Sequence, residues 1–129
     1  MARGRWREER GSAVVESTMV SVLLIAVFLA VVQLGLVLHV RNTLVAAAAE
    51  GARYGANADR EPGDGAVRAR ELVTAALGPA YAGEVSAGTE VVGGVATVVV
   101  RVSAPVPVVG FVDLVPRLAV EGHAFEEAQ

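Results

Sequence analysis

The sequence predicts an α+β fold: one long N-terminal helix, made of a transmembrane part and a projecting stalk, then one short helix and a small antiparallel sheet of about three strands. Three observations predict it. Residues 17–40 carry no formally charged side chain when His39 is neutral. Beyond them small and apolar residues recur at spacings of three and four, and from Glu84 onward the apolar period falls to two.

The chain has 129 residues, 53% of them hydrophobic, and a mean hydropathy of +0.51. That is too apolar for an ordinary soluble domain of this length unless the apolar residues are concentrated, and they gather near the front. Setting aside the first forty or so residues leaves enough chain for one small domain, and too little for an enzyme of several layers. The net charge of -3 is uneven: Arg3, Arg5, Arg7 and Arg10 against Glu8 and Glu9 give +2 before Gly11, so the rest carries -5. A basic end before an apolar segment is cytoplasmic, which sets the remainder of the chain on the far side of the membrane. Three segments follow: a basic cytoplasmic leader over 1–11, a transmembrane helix and helical stalk over 12–58, and a small extracytoplasmic α+β head over 59–129. The chain has no cysteine, so such a head holds together by packing or by partners, without disulfides.

The apolar run 19–38 is interrupted only by Ser21, Ala26, Ala30, Gln33 and Gly35, and its length spans a bilayer. About fifteen Leu, Ile, Val or Phe residues lie between Val20 and Val40. At roughly -0.3 to -0.6 kcal/mol each they outweigh a glutamate costing about +3 kcal/mol at the edge. A cleaved secretory signal has a shorter apolar region, of about 7–15 residues. Here the run is longer and is followed by Arg41 and Asn42, which favours a retained anchor.

The helical pattern continues through Leu44, Ala47, Ala48, Gly51, Ala52 and Gly55 without a proline, so the helix is expected to reach about Ala58. Ala47, Gly51 and Gly55 form a helix-packing row of small residues that lets another backbone approach closely. Two occupants stay open for it, the head of the same chain and a second subunit. Glu50 and Arg53, three apart, suit a solvated ion pair.

In the head, residues 59–65 read as a polar breaker, with Asp64 as the cap of a second helix whose apolar stripe is Ala66, Ala69, Val73, Ala76 and Leu77. Gly78 and Pro79 stop it. Strands over 84–92 and 95–103 flank Gly93-Gly94, a turn dipeptide that tolerates positive φ at both positions. Val98, Val100 and Val102 face one way and Thr97, Val99, Arg101 and Ser103 the other, as in a sheet with one covered side. Pro105 and Pro107 end the second strand, residues 106–116 form an apolar loop, and 117–125 read as a third strand.

Glu16 stands at the mouth of the apolar segment, five positions after Gly11. On its own it reads as an interfacial acid. Its context is more specific, because a short basic leader ending in Gly11-Ser12-Ala13-Val14-Val15-Glu16 resembles the processing site of type IV pilin precursors. Together with the apolar span and Glu50-Gly51-Ala52-Arg53-Tyr54-Gly55-Ala56, it resembles the TadE-like family, minor pilins and assembly proteins of tight-adherence, Flp-type pilus systems. The resemblance covers roughly residues 10–58.

That resemblance implies a structural subunit, with a prepilin peptidase cutting after Gly11 and leaving Ser12 as the new N-terminus. Glu16 would then register subunits by neutralising the α-amine of a neighbour in a low-dielectric bundle, where an unpaired charge is costly. The implied partners are other pilin-like subunits, the major pilin, the membrane assembly platform, the peptidase and the lipid bilayer. Ser17 stands where many pilin-like precursors carry an aromatic residue, so an unprocessed assembly factor stays open beside a cleaved subunit.

No catalytic set is expected. His39 and His123 have no His or Cys companions at metal-ligand spacing, no nucleophile, base and orienter stand together, and Gly93-Gly94 joins two strands instead of opening a helix on a phosphate. No cofactor and no nucleic-acid surface are expected either. The competing reading is a single-pass membrane-anchored binding or sensory protein with a small extracytoplasmic head.

Overall fold

The computed structural model describes residues 2–106 and 117–126. Helix α1 runs Ala2–Ala56 and helix α2 Pro62–Leu77, followed by a 3-10 turn Pro79–Tyr81. Strands β1 (Glu84–Val92), β2 (Val95–Pro105) and β3 (Arg117–Phe125) form one antiparallel sheet in the order β1-β2-β3. The fold is therefore α+β, with one long helix, one shorter helix and three antiparallel strands. The apolar loop expected over 106–116 lies, from 107 on, outside the described residues.

The chain divides into two compact units, Met1–Gly35 and Leu36–Gln129. In the first, α1 is helical from Ala2 on, where the sequence suggested a helix opening only at Ser12. Arg, Glu and Trp are all compatible with a helix, and Gly4 and Gly11 cost only about 1 kcal/mol each. Its apolar side chains, Met19, Leu23, Phe28 and Leu34 among them, are exposed. The helix is long and apolar enough to cross a membrane, with a window of mean hydropathy 2.8 and none of that window buried. The Thr18 and Ser21 hydroxyls donate to the carbonyls of Val14 and Ser17, each at 2.8 Å. Polar groups in this stretch thus find partners in the helix itself.

In the second unit the core lies between the helices and one face of the sheet. Val40, Leu44, Ala47, Ala48 and Ala52 repeat at three and four along α1 and are buried together with Ala69 and Val73 of α2 and Val98, Val100, Val102 and Val120 of the sheet. Helix α2 begins earlier than the sequence suggested. Pro62 occupies its first turn, and Asp64 is not the cap but the third helical residue, accepting a 2.9 Å hydrogen bond from the Glu61 N–H. Proline needs no donor at that position, and the carboxylate satisfies an amide the helix start would leave unpaired. The helix stops at Gly78, whose φ of 97° suits glycine and whose N–H donates to the Thr74 carbonyl at 3.0 Å. At the hairpin Gly93 and Gly94 take φ of 59° and 82°, the pair of positive values a two-residue turn of this twist requires.

The sheet departs from the expected pattern of one covered side. Val98, Val100 and Val102 join the core, yet Val99 and Thr97 on the other face are only 0% and 2% exposed. Arg101 lies on that face. It reaches from its own row to Glu90, which lies opposite Thr97, so the bridge spans the row of Val99.

Candidate functional site

Three groups of residues emerge as the surfaces through which this chain can act: the N-terminal motif, the helix crossing in the head, and the outer face of the sheet. Gly11, Ser12 and Glu16 all lie on α1, exposed, with nothing within 4 Å of a side chain placed at Gly11. Gly11 and Glu16 are five residues apart, about a turn and a half of helix. Among the described residues no cation lies within ion-pair distance of Glu16.

The small-residue row is a place of close approach. A Cβ added at Gly51 would lie 2.5 Å from the Gly65 carbonyl oxygen and 2.8 Å from the Ala69 Cβ. One added at Gly55 would lie 3.2 Å from the Glu61 oxygen and from the Gly65 Cα. So α2 starts over Gly55 and crosses at Gly51, backbone nearly on backbone, which only glycines on both helices permit. Ala47 is buried in the same unit. Beside the crossing runs an open groove of about 520 Å³, floored by Ala46, Ala47 and Ala76 and rimmed by Glu50 and Arg53. Those two rim residues form an exposed ion pair at 3.5 Å.

Sequence reasoning missed the partners of that row. The sequence sets Gly65 in a polar breaker, yet it is buried inside α2 against Gly51, and the alternation of β3 does not single out Gly122. A Cβ at Gly122 would fall on the backbone of Ala48 and Ala49. An isolated glycine in a strand pattern is the available signal for such an approach.

On the outer face Arg101 pairs with both Glu90 and Glu121, the latter at 2.6 Å, and Arg117 pairs with Glu84 at 3.1 Å. The hydrogen bond from Arg101 holds the Glu121 carboxyl below the usual carboxylate range, and the same contact, with Glu90 adding to it, raises Arg101. A carboxyl lowered on folding adds stability above its unfolded value, near 4.5, and loses it as pH falls through the folded value. The melting temperature is therefore expected to hold between pH 7 and about pH 5 and to fall below about pH 4, with a shallower acid limb in Glu121→Gln. Thermal melts across that range check this, and equal acid limbs in the two proteins would remove the network from the account. No group of three or more His, Cys, Asp or Glu able to hold a metal occurs among the described residues.

Residues 11–53 match the family model described as TadE-like protein. The match begins at Gly11, takes in Glu16 and the apolar stretch, and ends at Arg53 within α1. Through this segment the chain is similar to proteins associated with tight-adherence pili. No curated protein and no solved structure matches the chain.

Proposed function

We propose that this chain is a pilin-like structural or assembly subunit of a tight-adherence pilus, packing into or beneath the fibre through its N-terminal helix. The observation that carries the reading is the exposed apolar helix headed by Gly11 and Glu16, over which the TadE-like match extends. In this reading the leader stays in the cytoplasm and a single span anchors the chain. The head, residues 59–129, stands on the far side and uses α2 to cover Gly51 and Gly55 of the stalk. That leaves the apolar residues of the first unit for lipid or for the helices of other subunits, the major pilin and the membrane platform.

A prepilin peptidase acts between Gly11 and Ser12. A glycine there lowers the cost of unwinding the helix so that the peptide bond can enter an active site as extended chain. Cleavage frees a positively charged amine on Ser12, and Glu16 of an adjacent subunit neutralises it where both are withdrawn from water. The test is the intact mass of the membrane-extracted protein from cells that hold the peptidase. A chain beginning at Ser12 is expected. A full-length chain from Met1 would withdraw processing and leave an uncleaved assembly factor.

A further inference from the structure

We propose that the head pairs with the head of a second copy of this chain through β1, the two strands running antiparallel about Thr89. The sheet order leaves β1 and β3 as edges. Because Val92 and Val95 close a two-residue turn, the backbone groups of Glu84, Ser86, Gly88, Glu90 and Val92 point to β2 and those of Val85, Ala87, Thr89 and Val91 point away. The Val85 carbonyl accepts a 3.2 Å hydrogen bond from Arg70 of α2. Among the described residues the outward groups of Ala87, Thr89 and Val91 have no partner, and Val91 is 75% exposed.

Exposed edges are normally protected by charges that punish pairing. Strand β3 carries Arg117, Glu121 and His123, of which Arg117 and Glu121 are themselves drawn across the sheet, to Glu84 and Arg101. On β1 the only charges are Glu84 and Glu90, and both are drawn inward over the sheet, to Arg117 and Arg101. What remains is a free stretch bounded by Arg70 at one end and by the glycine turn at the other, with Thr89 at its centre.

An antiparallel register about Thr89 is self-complementary. Thr89 meets Thr89 of the other copy and Val91 meets Ala87, so all three outward residues find hydrogen-bonding partners. On the outer face Glu90 comes opposite Gly88, where a side chain would have open space, and Glu84 opposite Gly94. No acid stands directly against an acid. A second copy is thus the occupant that the edge itself specifies, and the pairing does not depend on the role proposed for the N-terminal helix.

The test uses the full chain in detergent micelles, which has no cysteine of its own. In the paired register Thr89 and its counterpart are about 5.5 Å apart between Cα atoms, within disulfide reach. Two Ala87 residues are about 13 Å apart, beyond it. Under mild oxidation Thr89→Cys is expected to give a covalent dimer, Ala87→Cys to lose it, and the double variant Ala87→Cys, Val91→Cys to restore it. A monomeric Thr89→Cys protein would overturn the proposal. So would equal dimer yields from Thr89→Cys and Ala87→Cys, the result expected if the membrane helices alone bring the chains together.

Discussion

Replacing Gly122 by alanine is expected to destabilise the head by about 3 kcal/mol or more, the upper end of what overpacking a filled core costs. The obstruction at Gly122 is the backbone of Ala48 and Ala49 in α1, which cannot rotate aside as a flexible side chain would. Helix α1 would have to lift off β3, opening contacts that bury Leu44, Ala48 and Val120. For a unit of this size the melting temperature should fall on the order of 10–20 °C. Gly88→Ala serves as the control, because a Cβ there meets nothing within 4 Å and should move the melt by little. Thermal unfolding of the full chain in detergent reads both. A Gly122→Ala protein melting with the wild type would mean that helix and sheet do not approach as closely as described.

The hairpin and the second helix stop were legible in the sequence because each rests on a local requirement for glycine. Gly93, Gly94 and Gly78 all take positive φ, a preference that a single residue announces. The start of α2 was less legible, since Pro62, Gly63 and Gly65 all resemble loop residues. The capping contact between Glu61 and Asp64 settles that start, and it becomes visible only when both groups are placed. Gly65 and Gly122 share a different cause. Their glycine character answers to backbone brought near from far along the chain, at Gly51 and at Ala48, and a one-dimensional pattern holds no record of which segments meet. The burial of Val99, on the face opposite Val98, Val100 and Val102, is not legible because alternation assigns faces and says nothing of what lies over them. The ion pairs of Arg101 with Glu90 and Glu121 on that face are a tertiary event.

The N-terminal motif is the reverse case. Gly11, Ser12 and Glu16 are plain in the sequence, and the structure sets them along one exposed helix without a partner for the acid among the described residues. What completes the site in the proposed reading belongs to another molecule. Glu16→Gln keeps the size and polarity of the side chain and removes its charge, leaving the amine of the adjoining subunit unneutralised. Breaking a desolvated pair in this way costs about 3–5 kcal/mol, equivalent to a factor of roughly a hundred to several thousand in incorporation. Insertion should not suffer, since losing a charge at the edge of the apolar stretch makes that segment easier to place in lipid.

The decisive measurement is the amount of pilus assembled by cells whose only copy of this chain carries Glu16→Gln, normalised to the amount of the variant in the membrane. Loss of pili at an unchanged membrane level is the predicted result. Pili at wild-type abundance would contradict the account at its centre.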